Sequence, residues 1–250
     1  MVIIPQKYHK EYTVKNYEVD CHGFLRILSL MNILQDIATE NADLLGLGLE
    51  ICREHNLSWV GSNYLIQILR MPKLNEHMKI TTWPAEKKLW GALRDFIITD
   101  ESGAPIIKAS SQWVLIDFVR RRPVMLNKYF PDYNCLEERV LETEFPKIDI
   151  AEDGADIKEF SVRFDDIDVN EHVNNSIYPL WASESVAPNF RKTHLPAQIE
   201  VAFKKEALYG EKVTVSTIMN DDVSGHVIRD KNSGDELALC RIKWQPITSL

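Results

Sequence analysis

The sequence predicts an α+β fold in which one unit, a long helix on an antiparallel sheet, occurs twice. Three observations carry that prediction. A stretch with helical spacing of apolar residues is followed by four strand-like runs with no helix between them. The same order appears again in the second half, and matching residues in the two halves keep constant offsets. Consecutive strands after one helix favour antiparallel pairing, with the helix covering one face of the sheet.

The elements follow in order. Residues 11–19 form a strand-like run. From Ser29, a candidate N-cap, Leu30, Ile33, Leu34, Ile37, Ala38, Ala42 and Leu45 recur at helical spacing, and Gly46 and Gly48 end the helix. Strands are expected near 58–70, 76–85, 89–99 and 105–118, punctuated by Pro72, Pro84 and Ser102-Gly103. The second half repeats this with a strand near 158–164, a helix near 176–187, and strands near 197–206, 211–219, 223–230 and 236–246. Val14, Glu18, Val19 and Asp20 match Val162, Asp166, Ile167 and Asp168 at one offset; Gly103 and Trp113 match Gly234 and Trp244 at another. The expected organisation is a first unit over 1–118, a connection over 119–157 and a second unit over 158–250. The connection is too long for a tight turn and is expected to wrap the surface. Two such units can join edge to edge, which protects one exposed edge of each and imitates a homodimer.

Composition narrows the function classes. The 250 residues are 45% hydrophobic and 26% charged, ordinary values for a protein with a real core. No stretch approaches ~18 consecutive apolar residues, and the N-terminus lacks a cleavable signal or an Arg- and Ser-rich leader, so a cytoplasmic protein without a membrane span is expected. Four scattered cysteines make no CxxC pair, which argues against disulfides or a zinc framework; no metal or cofactor is expected. A net charge of −8 does not suit nucleic-acid binding. Glycines 46 and 48 lack the rest of a phosphate-loop pattern.

The chemistry concentrates in Asp168-Val169-Asn170-Glu171-His172-Val173-Asn174-Asn175-Ser176. If residues 168–172 are extended, Asp168, Asn170 and His172 share one face. Asn174, Asn175 or Ser176 can cap the following helix, whose N-terminal N–H groups suit an oxyanion. At the shared offset Asp168 faces Asp20, but Asn170 faces His22 and His172 faces Phe24; Glu206 falls opposite a residue near 71–72. The first unit therefore lacks the full polar set, and a site in the second unit, with the first shaping a pocket, is expected.

Asp168 to Asn175 resembles the signature of plant and bacterial acyl-acyl-carrier-protein thioesterases. Phe203-Lys204-Lys205-Glu206-Ala207 is similar to a second family segment, and Trp113-Val114 with Arg120-Arg121 to a third. The resemblance runs from about Tyr12 to Trp244. It implies two tandem hotdog folds, each a helix wrapped by an antiparallel sheet, and hydrolysis of fatty acyl thioesters on acyl carrier protein. Without a plastid leader, the chain looks like a bacterial form. Where the family carries Cys after the Glu, this chain has Ala207, which disfavours a thiolate nucleophile. Carboxylate-assisted hydrolysis remains. Asp168 or Glu206 would act on water, Asn170 and the helix start at Asn174 and Asn175 would hold the oxyanion, and His172 would orient the network or protonate the leaving thiolate. Direct attack by Asp168 is the alternative.

Candidates for an acyl tunnel are Ile33, Leu34, Ile37, Trp59, Val60 and Leu65. An acidic carrier protein would need a local basic patch on this acidic chain. Arg120, Arg121, Lys204 and Lys205 are candidates, with Arg122, Lys87-Lys88 and Arg191-Lys192 beside them. The competing expectations are an acyl-CoA thioesterase, another hotdog enzyme such as a dehydratase, or a non-catalytic lipid-binding protein. A homodimer is compatible with all of them.

Overall fold

The computed structural model describes residues 6–142 and 145–247. In chain order the elements are β1 (Tyr8–Thr13), α1 (Ile27–Leu44), α2 (Leu49–Glu54), β2 (Leu57–Ile68), β3 (His77–Lys87), β4 (Gly91–Asp100), β5 (Pro105–Asp117), β6 (Arg122–Pro123), α3 (Leu126–Tyr129), β7 (Asp156–Ser161), α4 (Ile177–Glu184), α5 (Pro188–Arg191), β8 (His194–Phe203), β9 (Lys212–Asn220), β10 (Val223–Asp230) and β11 (Glu236–Pro246). The strands form one sheet in the order β1-β3-β4-β5-β2-β8-β11-β10-β9-β7, with β6 on the side of β5. The expected edge-to-edge union of the halves is the antiparallel β2–β8 ladder, from Asn63↔Ala202 to Gln67↔Gln198.

Period-two alternation decides which face each strand buries. One cross-strand row, Phe96–Ala109–Ile66–Ile199–Ile242, runs through both halves with every member fully buried. Leu30, Met31, Leu34 and Ile37 of α1 and Ile177, Tyr178, Trp181 and Ala182 of α4 pack into this same core. Each buried Leu, Ile or Met among them contributes roughly 1.5–3 kcal/mol by leaving water. A bulge in β2 between Gly61 and Asn63 keeps Gly61 and Tyr64 on the inner face, opposite Trp113 and Ser111.

The connection crosses the outer face of the sheet like a strap. Trp83 Nε1 donates to the Glu138 carbonyl at 2.8 Å, and buried Asp95 accepts from Arg139 Nε (3.1 Å) and Val140 N (2.7 Å). Further on, Arg241 donates to the Lys147 carbonyl at 3.4 Å and Arg229 pairs with Glu152 at 2.5 Å, now on the second half.

Several boundaries differ from expectation for local reasons. The first strand stops at Thr13; residues 16–18 make a 3-10 turn because the Glu18 carboxylate folds back onto the Lys15 N–H at 2.7 Å. Ser29 is not a cap: α1 begins two residues earlier after an extended Arg26, and Ser29 Oγ donates to the Glu18 carbonyl. Gly46, at φ +67°, ends α1, while Gly48 opens α2, a helix too short for its periodicity to stand out. The second long helix breaks after Glu184, and Pro188 starts the separate α5. Strand β8 ends at Phe203, so Glu206 lies in the loop beyond it. No helix among the described residues is long and apolar enough to cross a membrane.

Candidate active site

Residues 168–172 are not extended. They form a tight loop in which Asp168 N donates to the His172 carbonyl (2.8 Å) and Glu171 N donates to the Asp168 carbonyl (3.0 Å), closed by an Ile167–Val173 bridge. Asp168 Oδ1 accepts from Asn170 N at 2.8 Å, an Asx turn that fixes the carboxylate. Among the described residues its other oxygen has no hydrogen-bond partner. Asn174 organises the start of α4: its Oδ1 accepts from Ser176 N at 2.9 Å and its carbonyl accepts from Ile177 N at 2.9 Å. Ser176 is the residue at the cap position. With those two N–H groups occupied and Pro179 carrying none, the helix start offers fewer free donors than its sequence suggests. Asn170 and Asn175 bring side-chain amides, which carry N–H donors, to the lining of the cleft.

Asp168, Asn170, His172, Asn175 and Glu206 line one cleft of about 320 Å³, and the first half closes it with Trp59, Val60, Gly61 and Trp113. A Cβ at Gly61 would come within 2.9 Å of Asn175 Nδ2, so a larger residue there would push the Asn175 amide aside. The cleft floor is aromatic: Phe203 meets Tyr64 edge-on at 6.3 Å and Tyr178 at 5.6 Å. His172 Nε2 lies 3.3 Å from Glu206 Oε2, and the same carboxylate oxygen accepts from Arg121. Arg121 reaches it from the β5–β6 turn, where its φ of +52° is a left-handed conformation that costs a non-glycine residue about 1–2 kcal/mol.

Tyr178 was not singled out by sequence. It is buried, lines the cleft, and its hydroxyl oxygen accepts the Ala207 N–H at 3.0 Å, anchoring the loop that carries Glu206. Burial holds its phenol well above the ordinary range, so it stays protonated. An aromatic in a helix's first turn carries no chemical signal in sequence. None of the four cysteines lines the cleft, and burial pushes the Cys52 thiol up to about 11.

Two family models cover most of the chain. The acyl-ACP thioesterase N-terminal domain matches residues 5–132 and the C-terminal domain matches residues 150–246. The chain belongs to the acyl-ACP thioesterase family. Acyl-[acyl-carrier-protein] hydrolase FATB3 of Cuphea viscosissima, a chloroplastic protein, is 27% identical over 259 residues, covering 96% of this chain. The chain spans only 62% of that relative's own length. Oleoyl-acyl carrier protein thioesterase 2 of Arabidopsis thaliana is 25% identical over 97% of this chain and 77% of its own. A crystal structure from Lactobacillus plantarum, assigned as an oleoyl thioesterase, superposes with a TM-score of 0.87 over 98% of both chains at 27% identity. An acyl-ACP thioesterase from Bacteroides thetaiotaomicron shares the fold at a TM-score of 0.87 and 22% identity, over 96% of this chain and 98% of its own. The architecture is the α+β double hotdog of this family.

The remaining expected site residues of this acyl-ACP thioesterase family member are spread more widely. Lys204 and Lys205 are on the cleft rim, Lys205 paired with Asp235. Arg120 sits 3.9 Å from Asp117 beside the turn, and Arg121 is engaged by Glu206 inside the cleft. Asn174 does not line the cleft and acts through the backbone of the loop. Ile33, Leu34, Ile37 and Leu65 are buried and do not line it either.

Proposed function

We propose that this chain hydrolyses fatty acyl thioesters on acyl carrier protein, releasing free fatty acid and ending chain elongation. The observation that carries this is the single cleft holding Asp168, Asn170, His172 and Glu206, with Arg121 against Glu206, in a member of this family. Asp168, locked through Oδ1, presents its free oxygen to a water and takes a proton as that water attacks the thioester carbonyl carbon. The Asn170 and Asn175 amides stabilise the oxyanion. When the carbon–sulfur bond breaks, His172, oriented by Glu206, supplies the proton to the thiolate. Arg121 donates to Glu206 and holds its carboxylate in place. Lys204, Lys205 and Arg120 at the rim meet the acidic carrier. Asp168 acting directly as a nucleophile would use the same geometry.

The test is a panel of acyl-carrier-protein and acyl-CoA forms of the same chains, scored for free acid. Asp168→Asn and Glu206→Gln should each lower kcat by about a hundredfold to ten-thousandfold. Near-normal turnover by a folded Asp168→Asn sinks the assignment, and preference for the CoA esters moves the substrate to CoA. In a single turnover in heavy-oxygen water, unlabelled fatty acid with the label left on Asp168 identifies Asp168 as a nucleophile whose anhydride water opens at the aspartyl carbonyl.

A further inference from the structure

A fatty acyl chain reaching the cleft needs apolar space beyond it, and two directions into the first half are closed. Ile33, Leu34 and Ile37 are packed solid at 7%, 0% and 0% exposure. Straight ahead, past Tyr64, stands buried Arg94, which donates to Asn41 Oδ1 at 2.6 Å and Thr82 Oγ1 at 3.2 Å. Among the described residues no carboxylate pairs with it. Methylenes pushed against that cation would strip it further of polar contact, which is unfavourable.

The third direction differs. Trp59 lines the cleft, and its indole Nε1 donates to the Leu47 carbonyl at 3.0 Å while its ring stacks on Phe130 at 6.4 Å between centroids and 12° between planes. Leu47 and Phe130 both line a second cavity of about 190 Å³, shared with Leu45, Tyr129 and Tyr133. Trp59, backed by Leu47 and Phe130, thus stands between two spaces, the reactive cleft and a partly open pocket whose leucine and aromatic wall is rimmed by Asp132 and Asn134. A volume of about 150 Å³ takes a benzene-sized ligand, so this pocket has room for several methylenes along its Leu45, Tyr129 and Phe130 wall.

We infer that the cavity behind Trp59 is the distal acyl-chain site of this chain, and that Trp59 is the partition setting how long a chain it accepts. The inference rests on the thioesterase function proposed above. It moves the tunnel away from the apolar face of α1 to the cluster formed by the end of α1, α2 and the segment after β6.

The experiment compares kcat/KM for octanoyl-, dodecanoyl- and hexadecanoyl-carrier protein in the wild type, Trp59→Ala, Trp59→Phe and Trp59→Ala with Asn134→Trp. Asn134 is an exposed lining residue of the second cavity, placed to plug it from outside. Trp59→Ala should raise the hexadecanoyl-to-octanoyl ratio by about tenfold or more, since each accommodated methylene is worth about tenfold upward. Trp59→Phe should raise it less, and the Asn134→Trp plug should return it towards the wild-type value. An unchanged ratio in the folded single variants, judged by circular dichroism, overturns the inference, as does a plug that leaves the gain intact. Hydrolysis of none of the three substrates by the wild type overturns the proposed function and this inference with it, whereas unchanged ratios in active variants overturn the inference alone.

Discussion

The loops at residues 20–25 and 168–173 follow one path and end in different chemistry. Asp20 N donates to the Phe24 carbonyl at 2.8 Å, as Asp168 N does to the His172 carbonyl. The fourth residue is left-handed in both, Gly23 at φ +80° and Glu171 at φ +65°. Leu25 N donates to the Pro72 carbonyl and Val173 N to the Ala207 carbonyl, which makes buried Met71 the counterpart of Glu206. The aspartate and the backbone pattern are therefore what the loop needs to fold. The two copies differ at the positions the fold leaves free: His22 corresponds to Asn170, Phe24 to His172 and Met71 to Glu206.

That division can be tested by making the same change in both loops. Asp168→Ala should cost about a hundredfold to ten-thousandfold in kcat. Asp20→Ala removes the acceptor of the His22 and Phe24 N–H bonds, at 2.8 and 3.0 Å. It should cost roughly 1–3 kcal/mol of stability in denaturant titration with turnover per folded molecule kept. Equal losses of turnover in the two variants would break the comparison.

The interiors contrast in the same way. The inner row Arg94–Ser111–Tyr64–Val201–Cys240–His226 carries a permanent cation at one end and an imidazole at the other. Burial pushes the His226 imidazole down to about 3, and its nitrogens are held by Thr217 (3.0 Å) and Ser224 (2.8 Å). The unfolded chain binds this proton near pH 6.5 and the native one does not, so stability falls with pH from about 6.5 towards 3, by at most about 1.4 kcal/mol per unit. Carboxylates held low by cations, such as Glu152 beside Arg229, add their loss further into acid. Melting temperatures of His226→Asn should decline less than wild type between about pH 6.5 and 5; parallel declines would refute the assignment. The smallest effect belongs to the left-handed position. Glu171→Gly should gain up to about 1 kcal/mol, and Gly23→Ala should lose about as much.

Much of this was legible in the sequence because it is written in local terms. The helix–strand order, the duplicated Asp and the join between halves follow from periodicity and offset, and they appear as α1, α4 and the β2–β8 ladder. Residues 168–172 misled because alternation assumes extended backbone, whereas Glu171 adopts positive φ without being glycine. The entry to α4 misled for a related reason: Asn174 satisfies two N–H groups from outside the helix. Arg121 looked like a surface cation because nothing local reveals that a hairpin will bring it to Glu206, 85 positions away. Tyr178 and Trp59 matter through what lies across from them, the Ala207 N–H and the Leu47 carbonyl, and sequence spacing carries no trace of either.

The β2–β8 seam has a consequence for how such a molecule can change. In a symmetric pair of identical chains, a substitution that suits one mouth appears at the other as well, wanted or not. Here the two mouths are encoded separately within a single sheet. Phe24 can fill the first with an apolar side chain while His172 meets Glu206 in the second, and neither choice constrains the other. The first copy is thereby free to serve the cleft of the second as a wall, through Trp59, Val60, Gly61 and Trp113.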